Sequence, residues 1–349
     1  MRIGLALQFQ KRLGGSWDEA YDELVWQARF ADEHGYLNLW MVEHHFTETT
    51  TASPSVVLSH VAAITSRIRV GYAVALLPFH HPLRIAEEML LLDRLSRGRL
   101  DMGIGRGHTP IEVATLCPSP ERSVELFDDA VTVLVHAFRG EPFTLHGEYW
   151  TFPEVQLFPP PVQRGGRFWM PITSPRSIQF AAQHAIAPLL GNRPLDELKA
   201  TLEAYTAACV AAGHSEEVIQ SLLDRAAITR VGTIAATFRE GEEQIRLDVA
   251  QFHHSFQVNG VPVGDPRFPR FPTAWPPLDD PIETILFRRG VFGTADDLVD
   301  QLREFEKIGI RQVSLGFGSY LTPTAERRRR LEQFTREVLP VFHRGVSPA

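Results

Sequence analysis

Eight times along this chain a short, continuously apolar stretch gives way to a segment with helical periodicity, and no other feature narrows the possible architectures as much. RIGLALQF at 2–9 leads into SWDEAYDELVWQARFADEHG, where Ser16 and Glu19 have capping-box spacing and Gly35 closes the pattern. YLNLWMVE at 36–43 precedes a helix opened by Ser53 and Pro54. IRVGYAVALLP at 68–78 precedes HPLRIAEEMLLLDRLSRG, and RLDMGIGRG at 99–107 precedes a helix opened by Ser119 and Pro120. After residue 166 the rhythm resumes: RFWMPITS then SPRSIQFAAQHA, IAPLLG then PLDELKATLEAYTAACVAAG, RAAITRVGTIAAT then EEQIRLDVAQFHHSF, and finally QVSLGFG then PTAERRRRLEQFTREVLPVF.

Strands that read as apolar without alternation are buried on both faces, which calls for a parallel sheet covered by helices. Eight such pairs are what a closed (β/α)8 TIM barrel needs, and its active site would lie at the C-terminal ends of the strands. The expected organisation is one barrel domain spanning 1–349. Two interruptions are expected. After the fourth unit, 141–166 carries aromatic strand-like pieces and a proline run, read as a surface excursion. Before the eighth strand, 257–281 is rich in proline, glycine and aromatics and reads as a lid.

Charge and cysteine usage then exclude whole classes. A formal net charge of -7 offers no electrostatic footprint for nucleic acid. The basic run from Arg327 to Arg330 is flanked by Glu326 and Glu332 and reads as a solvated helix face. The two cysteines, Cys117 and Cys209, have neither disulfide-framework nor zinc spacing. No apolar run reaches the ~18 residues of a membrane span, and MRIGLALQF lacks the features of a signal peptide. The expectation is a cytoplasmic protein.

Polar residues at the strand ends carry the candidate chemistry. WMVEHHFTE places Glu43, His44 and His45 where the second strand empties into a loop. His80 and His81 follow the third strand, and Arg106, Gly107 and His108 the fourth, so imidazoles gather on one rim. A histidine beside a strand end commonly does no more than bond a loop carbonyl, but the gathering suits either general acid–base work or metal ligation. Metal ligation is the weaker reading, because HExxH is absent and Glu43 is the only carboxylate among these strand ends. No metal site is expected.

Two places could hold a phosphate. MGIGRGH at 102–108 offers backbone amides and a guanidinium, although His108 occupies the sixth position of GxGxxG and argues against a doubly wound nucleotide fold. ITSPRS at 172–177 passes from strand to helix N-terminus with Thr173, Ser174 and Ser177 beside the unpaired amides. An ordinary cap by Ser174 with Pro175 at the first helical position explains the same residues, and both uses are compatible. Arg122, early in its helix, is either a solvated charge or a further phosphate contact. His253 and His254 read as surface or packing residues.

WMVEHHFTE, AVALLPFHHPLRIAEEMLLLDRLSRGRLDMGIGRGH at 73–108 and VFGTADDLVDQLREFEKIGIRQVSLGFG near the end resemble the bacterial luciferase-like flavin-dependent monooxygenases. The first two stretches are specific; the region 185–285 matches in pattern only. The resemblance implies a barrel that binds reduced FMN (FMNH2), uses O2 as co-substrate, and oxygenates a small apolar organic molecule through a flavin peroxide. By motif position, His44 would support that chemistry with Glu43 and His45 beside it, while Arg106, Gly107, Arg122, Thr173, Ser174 and Ser177 would hold the FMN. Ala73 and Val74 stand where the family often has a non-proline cis peptide.

The resemblance also implies a homodimer or heterodimer and, since no dinucleotide fingerprint is visible, a separate NAD(P)H:flavin reductase supplying FMNH2. Gly105 stands where light-emitting members have a reactive cysteine, and Thr173 where they have a glutamate. Those departures count against light emission from a long-chain aldehyde and leave oxygenation implied. A deazaflavin-dependent hydride-transfer oxidoreductase shares the barrel and is the alternative. A non-catalytic flavoprotein or supporting subunit fits less well, since it would lose the histidine and phosphate residues, and a metal hydrolase least.

Overall fold

The computed structural model describes residues 1–7, 9, 11, 15–46, 51–258, 286–318 and 322–343. Eight parallel strands close a ring in the order β1 (Arg2–Leu7), β2 (Asn38–Met41), β3 (Arg69–Leu76), β4 (Leu100–Gly105), β7 (Phe168–Pro171), β8 (Ala187–Leu190), β9 (Ala227–Ile234) and β11 (Gln312–Phe317). Leu5 pairs with Leu39 on one side of β1, Arg2 with Gln312 on the other, and Leu189 with Ala227 closes the seam between β8 and β9. These are the eight apolar stretches of the sequence. β2, β4 and β8 are buried at every residue, as strands covered on both faces must be.

Helices α1 (Trp17–Glu33), α2 (Pro54–Ile64), α3 (Pro82–Leu95), α4 (Pro110–Leu116), α5 (Ser123–Arg139), α6 (Pro175–Gln183), α7 (Leu195–Ala211), α8 (Glu216–Leu223) and α9 (Phe238–Val258) follow in chain order. The Ser16 capping box is present, with Ser16 Oγ accepting from the Glu19 amide at 3.1 Å and Glu19 Oε2 from the Ser16 amide at 3.0 Å. Inside the barrel, the Trp40 and Trp169 rings meet edge to face at 5.3 Å. Trp40 Nε1 donates to the buried Asp101 at 3.1 Å, which satisfies its only polar atom.

The excursion after the fourth unit is an antiparallel hairpin, β5 (Phe143–His146) and β6 (Thr151–Val155). Asp129 on α5 anchors it by accepting from the amides of Glu148, Tyr149 and Trp150 at 3.1, 2.7 and 2.7 Å. The proposed lid starts on the last residues of α9 and otherwise lies outside the described residues, as do the side chains of His253 and His254.

One unit was not read from the sequence as an element. β10 (Gly290–Gly293) pairs with β9 outside the closed ring, Gly290 opposite Val231, and α10 (Ala295–Lys307) follows it. GVFG has two glycines in four residues and too little apolar run to register as a strand, so its existence depends on the free edge that β9 offers beyond β8. Among the described residues, β11 is followed by α11 (Thr324–Glu337) and α12 (Leu339–His343). No helix among the described residues is long and apolar enough to cross a membrane.

Candidate active site

All eight strands point the same way, so Glu43, His44, His80 and Arg106 arrive at one mouth because each follows the C-terminal end of its strand. Glu43 is 2 % exposed and organises one side of it. Its Oε1 accepts from Nε2 of His80 at 2.7 Å and of His45 at 3.0 Å, and its Oε2 accepts from the Leu76 amide at 2.8 Å. Burial alone would raise the Glu43 pKa; the two imidazole bonds, the His80 charge and the amide outweigh it and hold the carboxylate at about 2. In return His80 is raised above its ordinary value, since its bond to Glu43 outweighs burial.

His44 turns the other way, toward α4. Its Nδ1 lies 3.1 Å from Glu112 Oε1, and the same oxygen accepts from the His45 amide at 2.7 Å. The His44 amide donates to the Thr51 carbonyl at 3.0 Å. Across from it the His108 ring stands edge-on at 6.5 Å. Crowding by protein, and then the nearby His44, push the His108 pKa down, while burial of Glu112 is outweighed by its bonds from His44 and His45 and keeps that carboxyl low.

Glu112 was missed from the sequence although a signal exists. Thr109-Pro110-Ile111-Glu112 has capping-box spacing at the start of α4, a pattern in which the glutamate returns to its own helix end. Here Thr109 makes no side-chain cap bond and Glu112 crosses to the end of β2. The imidazole rim needs one correction. His81 does not join it: its ring packs on Trp150 at 4.7 Å and Phe152 at 5.6 Å, on the hairpin.

On the next arc of the mouth, α6 begins with the cap anticipated from its sequence. Ser174 Oγ accepts from the Ser177 amide at 3.2 Å, and Ser177 Oγ accepts from the amides of Thr173 and Ser174, each at 2.9 Å. Thr173 and Ser174 are exposed, and Arg193 donates to the Thr173 carbonyl at 3.0 Å, so hydroxyls, a helix N-terminus and a guanidinium collect there. Arg176, beside them, pairs with Asp128 at 2.5 Å. Arg122 is engaged elsewhere, donating to the Glu148 carbonyl at 2.7 Å with its guanidinium 5.0 Å from the Tyr149 ring centre.

Between these arcs lies the glycine-rich end of β4. The Ala73–Val74 peptide is cis, and a Cβ at Gly105 would fall 2.4 Å from Val74 Cγ2. Gly107 has φ +80°, and a Cβ there would fall 2.9 Å from the Phe79 ring. Arg106 sits half-buried between the two glycines. Among the described residues, no group of three or more histidine, cysteine or acidic side chains is arranged to hold a metal ion.

Comparison with known proteins places these features in context. The family model for luciferase-like monooxygenases matches residues 1–312. The oxygenase component of flavin-dependent trigonelline monooxygenase from Acinetobacter baylyi is 24% identical over 344 residues, covering 93% of this chain and 90% of that protein. Limonene 1,2-monooxygenase from Rhodococcus erythropolis is 28% identical over 329 residues, covering 91% and 80%. Among solved structures, monooxygenase RslO1 from Streptomyces bottropensis superposes with TM-score 0.81 at 24% identity, over 98% of this chain and 100% of that one. The oxygenating constituent of 3,6-diketocamphane monooxygenase from Pseudomonas putida, solved with FMN, gives 0.75 at 21% identity over 97% and 98%. The coenzyme F420-dependent tetrahydromethanopterin reductase from Methanopyrus kandleri also gives 0.75, at 18% identity over 98% and 99%. At these identities the structural likeness establishes the fold.

Proposed function

The chain belongs to the luciferase-like monooxygenases, a family of oxidoreductases, and from that premise we propose that it is the oxygenating component of a two-component flavin-dependent monooxygenase. In this reading it takes reduced FMN from a separate reductase and oxygenates a small apolar organic substrate with O2. The observation that carries it is the sharing of one barrel mouth by two unlike sets of groups. Carboxylate-bound imidazoles follow β2 and β3, the carboxylate that holds His44 follows β4 on α4, and an anion-suited helix terminus follows β7.

The residues present fit such a cofactor. The hydroxyls of Thr173, Ser174 and Ser177, the N-terminus of α6 and Arg193 form a donor set suited to a phosphate dianion. Arg106 stands on thin backbone, with Gly107 leaving no room for a side chain against Phe79. When bound, reduced FMN supplies the electrons that activate O2. His44 is the acid–base group of this reading, and Glu43 with His45 and His80 forms the rigid wall beside it. Leu7 and Leu76 end their strands, Ile104 is next to last in β4 and Ile172 follows β7, all as buried apolar residues, which supports an apolar substrate.

A relative named as an oxygenase component supports the separate reductase, and a pair of barrels belongs to the same reading. The test is to titrate the protein with photoreduced FMN without oxygen, admit oxygen, and follow absorbance with and without substrate. Tight binding and an oxygen-dependent transient absent from His44→Ala are expected. Failure to bind FMN sinks the reading, whereas binding of a reduced deazaflavin with indifference to oxygen replaces it with the alternative of hydride transfer.

A further inference from the structure

Glu112 lies on α4, away from the strand ends, yet one of its oxygens collects two donors from consecutive residues of another element. Each bond constrains something different. The one from the His45 amide, at 2.7 Å, ties the carboxylate to the backbone just beyond His44, so the carboxylate cannot follow the imidazole if the ring rotates. The one at 3.1 Å to His44 Nδ1 then fixes the ring relative to that anchored oxygen. The His44 amide, held by the Thr51 carbonyl at 3.0 Å, fixes the main chain from which the ring hangs.

A carboxylate oxygen only accepts, so Nδ1 must carry the proton in that contact. A neutral imidazole has one N–H, and with it on Nδ1 the lone pair lies on Nε2. We propose that Glu112 is the positioning residue of this site, holding His44 in the Nδ1-protonated tautomer and making Nε2 its proton-accepting nitrogen. The proposal deepens the reading above, which gives His44 the acid–base role. A proton taken up at Nε2 makes an imidazolium whose charge Glu112 balances, while the Nδ1 proton stays in place.

The use of Glu112 for this purpose has a visible cost in the helix. At the third helical position it is placed to cap α4 with Thr109, and that cap is not made. Among the described residues, the other ionisable groups beside His44 include His108 after β4, and Glu43 with His45 on its own segment. Glu43 is taken up by His45, His80 and the Leu76 amide, which leaves Glu112 as the carboxylate seen bonded to His44.

The test uses the full chain without flavin, labelled with 15N-histidine, and reads the ring tautomers by long-range 1H–15N correlation near neutral pH. His44 is assigned by its loss in His44→Gln. The expected result is an Nδ1–H tautomer for His44 in the wild type, its retention in Glu112→Gln, whose amide oxygen still accepts, and a change to Nε2–H in Glu112→Leu. Turnover with reduced FMN should fall roughly tenfold or more in Glu112→Leu with little change in substrate KM, and recover in part in Glu112→Gln. An Nε2–H tautomer in the wild type, or an unchanged one in Glu112→Leu, overturns the proposal. If Glu112→Leu does not fold, the wild-type and Glu112→Gln spectra decide alone. The spectra need no cofactor, so this outcome is distinct from a failure to bind FMN.

Discussion

His80 donates through Nε2 to Glu43 Oε1 at 2.7 Å, so one short bond joins the C-terminal ends of β2 and β3. Its pH dependence has two limbs. Glu43 is depressed to about 2 from an ordinary 4.5, so its contribution, about 3 kcal/mol at neutral pH, is complete above pH ~4.5 and is lost as pH falls toward 2. His80 is raised above 6.5, so its contribution is complete below that value and is lost as pH rises through its folded-state pKa. Urea midpoints measured across pH should decline on both sides, and Glu43→Gln should flatten both limbs.

Gly105 has no room for a side chain while Val74 stays as it is, since the added Cβ would lie 2.4 Å from Val74 Cγ2. Gly105→Ala should cost about 1–3 kcal/mol in chemical denaturation, and Gly105→Cys at least as much. Adding Val74→Ala should recover most of the loss. A double-mutant cycle with no coupling between the two positions would contradict this account.

At the start of α6, stability and the proposed phosphate binding would rest on the same atoms. Ser174→Ala removes the acceptor of the Ser177 amide and should cost about 1 kcal/mol. Its effect on binding should depend on the phosphate: FMN affinity should fall, while riboflavin affinity stays the same. An equal loss for both ligands in isothermal titration would remove this terminus from the proposed phosphate site.

Arg230 on β9 is buried where β8 ceases to pair with β9 and β10 takes over that edge. Its guanidinium donates to the carbonyls of Phe287, Thr229 and Gly191 at 2.5, 2.8 and 3.0 Å, and to Asn192 Oδ1 at 3.1 Å. Arg230→Met would leave those acceptors without their donor, and a loss of more than about 2 kcal/mol is expected. Hydrogen exchange should show the loosening first at 287–293, the segment that depends on this bridge.

Glu112 and His45 show where sequence reasoning reaches its limit. The closed ring was legible because eight continuously apolar runs, each followed by helical periodicity, are a one-dimensional signal of burial on both faces. The caps of α1 and α6 were legible for a similar reason, since each bond spans three residues. β10 was not, because four residues with two glycines form a strand only beside the exposed edge of β9.

The sequence alone therefore determined the barrel, its direction, and that Glu43, His44, His80 and Arg106 follow its strand ends, all of which come from local pattern, whereas Glu112 was missed. Only the tertiary structure decided how those residues are partnered. It set His45 and His80 on Glu43, His44 on Glu112, His81 on the hairpin and Arg122 on the Glu148 carbonyl. Neighbours in sequence such as His44 and His45 have nearly identical local signals. What separates them is the direction each side chain takes on leaving the strand and the element it then meets, 67 and 68 residues away in the case of Glu112. Such partners are chosen by packing in three dimensions, which no short window of sequence contains.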